Sequence, residues 1–175
     1  MILTGPAIGS AVEAEEIRIE PFDPARLQPN SYDFHLHDRI GWYTGDVLDC
    51  ARENPFEEHT IPVGGMVLQP NRIYLASTSE RIGSDFYVPT IRAKSSIGRL
   101  GLFVHVTADL IDIGSHGRLT LQLHAVQPVR VYSGMLIGQV TFWTVTGEVV
   151  LYDGKYQGSD GPRPSLSHRD FEVGR

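Results

Sequence analysis

Between Thr4 and Glu16 the apolar residues Ala7, Ile8, Ala11 and Val12 recur at helical spacing. Thr4 can cap this stretch and Pro6 is tolerated in a first turn, so the pattern predicts a helix, weakened by Gly5 and Gly9. Beyond residue 20 the texture changes. Short runs of β-branched and aromatic residues alternate with Gly, Pro, Asn and Asp. Tyr32-Phe34-Leu36, Arg72 to Ser77, Tyr87 to Ala93, Phe103 to Val106, Arg118 to Ala125, Val129 to Tyr132 and Leu136 to Val145 read as strands, with one helical turn at Ser95 to Leu100. Strands this many and this short imply a mostly β chain, a barrel or sandwich with a short N-terminal helix.

The clearest strand is Arg118 to Ala125. Leu119, Leu121, Leu123 and Ala125 point one way; Arg118, Thr120, Gln122 and His124 point the other. Such a polar face fronts water or lines a polar pocket, and water is the expectation. Residues 1–151 read as one β domain. The tail from Tyr152 to Arg175 is rich in Gly, Pro, Ser and charge, with few apolar anchors. It is expected to be mobile alone and to order on a ligand or partner, as a lid.

Composition narrows the function classes. Fifteen Lys and Arg against 21 Asp and Glu give a net charge of -6, which argues against nucleic-acid coating and polybasic membrane binding. Cys50 is the single cysteine, so neither an internal disulfide framework nor a multi-Cys zinc site is available. No apolar run approaches a membrane span and the amino end lacks a signal pattern, which makes a cytoplasmic location the expectation. Arg92, Lys94 and Arg99 lie within eight positions, with Ser95 and Ser96 between them. Cations flanking hydroxyls at a turn suit a phosphate chain, although a solvated loop has the same composition.

Longer blocks carry a resemblance. Leu27-Gln28-Pro29-Asn30-Ser31-Tyr32-Asp33, Lys94-Ser95-Ser96-Ile97-Gly98-Arg99-Leu100-Gly101 and Val104-His105-Val106-Thr107-Ala108 come in that order. Ile111-Asp112, Gly117, Gly134-Met135-Leu136-Ile137-Gly138-Gln139 and Gly154-Lys155-Tyr156-Gln157-Gly158 follow. Over nearly its whole length the chain resembles the dCTP deaminase family, within the superfamily that contains the trimeric dUTPases. The resemblance implies a homotrimer of distorted β-barrel or jelly-roll subunits with sites at the subunit interfaces. It implies hydrolysis of the 4-amino group of dCTP to give dUTP and ammonia, carried on by a few members to dUMP and pyrophosphate. It implies no zinc, in line with the lack of a His-x-Glu and Pro-Cys-x-x-Cys pair, and magnesium bound through the triphosphate.

By match to the family pattern, Lys94, Ser95, Ser96 and Gln139 contact phosphates or water, with Tyr152, Lys155 and Tyr156 closing over them. Arg99, Ser95 and the backbone of Ala108 position the attacking water and the leaving group, and Asp112 holds the 3'-hydroxyl. His105 and Thr107 fall in the matched substrate-side block, His105 with a direct or a supporting role. The family's catalytic glutamate stands in a Thr-Leu-Glu-Leu strand; here the strand reads Thr120-Leu121-Gln122-Leu123. A carboxamide hydrogen-bonds an amine but accepts no proton at neutral pH. The family's Pro and aromatic ring become Ile113 and Ser115, its Asn becomes Ala125, and a tail Gln becomes Ser159. Three functions stay open: a deaminase weakened at its base, a silent pyrimidine-nucleotide binder, and a dUTPase-like pyrophosphohydrolase using Asp112. His116, His124, His168, Trp42 and Trp143 carry no functional signal.

Overall fold

A computed structural model describes residues 1–172. The N-terminal helix α1 (Gly5–Glu13) starts where expected, with the Thr4 hydroxyl accepting from the N–H of Ala7 at 3.4 Å. It ends short of Glu16 because Glu15 turns to φ 60°. Ile8 and Ala11 bury its inner face against the sheet.

Everything that follows is chiefly strand: β1 (Arg18–Glu20), β2 (Leu27–Gln28), β3 (Ser31–Tyr43), β4 (Phe56–Thr60), β5 (Met66–Leu68), β6 (Ile73–Gly83) and β7 (Val88–Ala93). The short helix α2 (Ser95–Gly98) precedes β8 (Leu102–Phe103), β9 (His116–Ala125), β10 (Val129–Val131), β11 (Leu136–Trp143) and α3 (His168–Glu172). The main sheet runs β7-β11-β3-β6-β9-β8, all antiparallel, with β1, β2 and β4 paired at its margins and β5–β10 forming a separate ribbon.

The thirteen-residue β3 is the seam that curls this sheet towards a barrel. Tyr32 to His35 pair with β11, whereas Leu36 to Gly41 pair with β6 through a register shift. Phe34, Leu36, Ile40, Leu121, Val140 and Phe142 are fully buried in the resulting core. Gly138 makes the close crossing possible: a Cβ there would stand 2.2 Å from the Phe34 ring.

Two strand expectations need correction. Of the stretch expected at Phe103 to Val106 only Phe103 is strand, in Leu102–Phe103, and the chain beyond it turns so that Val106 and Ala108 line a cavity. The short strand expected at Tyr32-Phe34-Leu36 extends to Tyr43.

Candidate functional site

The alternation along β9 is complete, with every second residue from Gly117 to Ala125 buried. Its other face does not meet bulk water, contrary to expectation. His116, Arg118, Thr120 and Gln122 form one wall of a cavity of about 550 Å³. Ile73 and Leu75 from neighbouring β6 continue that wall, since Leu75 stands directly opposite Gln122 in the ladder. Val106, Ala108, Leu110 and Ile111 close one side, and Ser115 belongs to the turn that enters β9.

Gln122 is fixed at both ends. Its backbone N–H donates to the Val104 carbonyl at 2.9 Å, and its Oε1 accepts from the N–H of Val106 at 3.2 Å. The amide nitrogen is left for whatever occupies the cavity.

The tail supplies the remaining wall through Tyr156, Ser159, Arg163 and Ser165, joined there by Tyr43. It lies along β9 by backbone pairing: Gly158 N–H donates to His116 O at 2.9 Å, and Arg118 N–H to Ser159 O at 2.8 Å. Gly117 permits this approach, because at φ 149° a Cβ would lie 2.6 Å from Ser159 O. Gln157 adds side-chain bonds, donating to Gly114 O at 2.7 Å and Tyr152 O at 3.0 Å and accepting from His116 N–H at 2.9 Å. The few apolar anchors counted in the sequence are thus supplemented by hydrogen bonds to a strand edge.

Charge reinforces the clasp. Asp160 is paired with both Arg81 and Arg118, the latter at 3.3 Å. The Arg81 charge, ahead of its hydrogen bond and of Arg118, holds the Asp160 carboxyl below the usual carboxylate range. Arg118 also donates to the carbonyls of Ser79 and Thr78. Behind it, burial first and the Arg118 charge second push the imidazole of His37 below its ordinary value.

Of the residues singled out in the sequence, the structure gathers Gln122, Ala108, Ser115 and Tyr156 around the cavity. Tyr152 sits behind them, its hydroxyl accepting from Tyr156 N–H at 3.1 Å. Lys155 pairs with Asp170 at 2.6 Å and lies 5.8 Å above the Tyr156 ring. Thr107 and Asp112 are exposed on neighbouring turns, and His105 is half-buried with an unpartnered Nδ1.

A second group lies apart from this cavity. Lys94 is ion-paired with buried Asp33, and Gln139, on β11 opposite Asp33, donates to Ser31 Oγ at 3.0 Å. Ser95 and Ser96 are exposed on α2, with the Arg99 guanidinium donating to Ser95 O at 3.0 Å. None of these five lines the cavity.

Sequence reading missed His116, whose Nε2 is 2.7 Å from Asp85 Oδ1, and missed Tyr43 and Arg163 entirely. Arg118 and Thr120 did carry a signal, their place on the polar face of β9.

Residues 2–145 match the sequence profile of a family described as DCD, dCTP deaminase-like. A protein of Clostridium beijerinckii named "dCTP deaminase, dUMP-forming" is 43% identical over 173 residues, covering 98% of this chain and 99% of that protein. A "dCTP deaminase" of Rhodopirellula baltica is 44% identical over 172 residues, covering 98% and 86%. Among solved structures, the 2'-deoxycytidine 5'-triphosphate deaminase from Agrobacterium tumefaciens shares the fold with a TM-score of 0.63 and 23% identity. That match covers 81% of this chain and 47% of the solved chain.

Proposed function

The chain belongs to the dCTP deaminase-like family, and on that premise we propose that it is a nucleotide hydrolase acting on dCTP in the β9 cavity. The observation that carries this reading is Gln122: it stands on the polar face of β9, held by Val106 N–H, with its amide free towards the cavity. Water attacks C4 of the cytosine, the exocyclic nitrogen leaves as ammonia, and dCTP becomes dUTP. Two relatives named as dUMP-forming dCTP deaminases support a further hydrolysis of the triphosphate to dUMP and pyrophosphate. Magnesium enters with the triphosphate, as part of the substrate.

Gln122 occupies the position of the family's general base. It orients the amine but takes no proton from water, so deamination is slow. This single residue also favours a second reading, a nucleotide-binding protein with little turnover. The separation of Lys94, Ser95, Ser96, Arg99 and Gln139 from the cavity supports a site shared between subunits of a homotrimer. Cytoplasmic nucleotide metabolism is the setting proposed; among the described residues no helix is long and apolar enough to cross a membrane.

Incubation of the purified protein with dCTP, CTP and dUTP, with products resolved by mass, tests this. Slow formation of uracil nucleotide from dCTP supports the hydrolase, and binding without product supports the silent binder. Absence of both binding and product overturns the nucleotide reading, and a monomer by light scattering overturns the shared site.

A further inference from the structure

The chain carries a net charge of -6, yet among the described residues no Asp or Glu lines the β9 cavity. Four cationic or titratable basic side chains stand at it or beside it, and three are already engaged. His116 faces Asp85, Arg118 is held by Asp160 and two carbonyls, and Lys155 is paired with Asp170. Arg163 is an exposed residue of the cavity lining, and its guanidinium has no carboxylate or carbonyl partner among the described residues.

Its backbone, by contrast, is tightly held. The Arg163 N–H donates to Thr120 Oγ1 at 3.2 Å, and two residues on the Ser165 N–H donates to the Tyr43 hydroxyl at 2.6 Å. Pro162 and Pro164 flank it, and Pro162 is buried with Gly161. Each proline fixes φ near -65°. The cation is therefore presented from a stiffened segment with little backbone freedom left to lose when a ligand binds. Ile73, Leu75 and Leu110 give the same cavity apolar walls, which strengthen a charge interaction made there.

We propose that Arg163 binds the phosphate chain of the nucleotide, its planar fork donating to two phosphate oxygens. The assignment rests on the nucleotide reading of the cavity. It gives the tail a direct part in ligand binding: the same hydrogen bonds that lay the segment on β9 place the cation.

The test uses the full chain titrated with dCTP and with deoxycytidine, which lacks phosphates, for the unmodified protein, Arg163→Ala, Arg163→Lys and the control Arg130→Ala, an exposed arginine on the separate β5–β10 ribbon. Hydrogen bonds to a charged group are worth enough to expect Arg163→Ala to weaken dCTP binding about tenfold or more. Deoxycytidine binding should change less than about threefold, Arg163→Lys should recover part of the loss, and Arg130→Ala should match the unmodified protein. Equal loss for both ligands marks a structural role and overturns the assignment. So does undiminished dCTP binding in Arg163→Ala, with the nucleotide reading left standing. Failure of the unmodified protein to bind dCTP sinks the nucleotide reading itself, and the assignment with it.

Discussion

Replacing Gln122 by glutamate is expected to introduce a proton acceptor without disturbing the strand that carries it. The two side chains are nearly isosteric, and one carboxylate oxygen can keep the bond from Val106 N–H now made at 3.2 Å. The second oxygen then faces the cavity, where the amide nitrogen now stands. Leu75 and Val106 beside it raise a carboxyl's affinity for protons by desolvation, while the Val106 N–H and the cavity cations lower it. An ordinary glutamate is ionised at neutral pH, so the variant is expected to supply a base there. General acid–base catalysis contributes about 10²–10⁴ in rate, roughly 2.7–5.4 kcal/mol of barrier. Gln122→Glu is therefore expected to raise kcat for ammonia release from dCTP by about 10² or more, with KM changed less than about threefold. The pH profile supplies a second signature. An acid limb should appear in the Glu variant as the carboxyl protonates, and be missing in the unmodified protein. Rapid ammonia release by the unmodified protein, unimproved in the variant, would refute the reasoning and point to another base, with His124 the nearest titratable group on the same strand face.

The other predictions concern the sugar and the tail. Ser115 lines the cavity where the family carries a ring, so CTP is expected to bind within about tenfold of dCTP, about 1.4 kcal/mol, and Ser115→Phe to restore preference for the deoxy form. Titration calorimetry decides it, and a dCTP preference above about a hundredfold in the unmodified protein refutes it. Because the arginines lower the folded-state pKa of Asp160, its contribution is present above the ordinary carboxylate range and is lost as pH falls through that lowered value. Asp160→Asn should reproduce the acid state at neutral pH: amide hydrogen exchange of residues 157–165 should speed up several-fold, and unchanged protection there would count against the clasp.

How much of this was legible in the sequence depended on where each residue's partners lie. The β9 strand could be read because its burial is one-sided, and the alternation survives intact from His116 to Ala125. The length of β3 could not, because Ser31, Tyr32, Asp33 and Phe34 are all buried and erase the period. What covers the polar face of β9 was equally hidden, since residues 106–111 and the tail arrive from elsewhere in the chain. The tail's attachment was missed for a related reason. Composition records apolar anchors, whereas Gly158, Ser159 and Gln157 hold by hydrogen bonds that side-chain hydropathy does not reveal.

Lys94 shows most sharply what local context omits. Beside Ser95 and Ser96 it reads as a free cation for phosphate, but its charge is met by Asp33, 61 positions earlier. Lys94 leads into α2, and α2 leads into β8, which pairs with β9 at Ala125 and His124, yet Lys94 does not line the cavity of Gln122. In the proposed homotrimer, α2 of one copy would be set against the cavity of another, which would bring a phosphate grip at Lys94 to base recognition at Gln122. On that arrangement Arg163 would be a phosphate-binding cation supplied from within the subunit, and Lys94 would come from its neighbour with its charge already paired to Asp33. The Arg163→Ala variant should then retain some triphosphate preference in the trimer, and lose it further when Lys94→Ala is added.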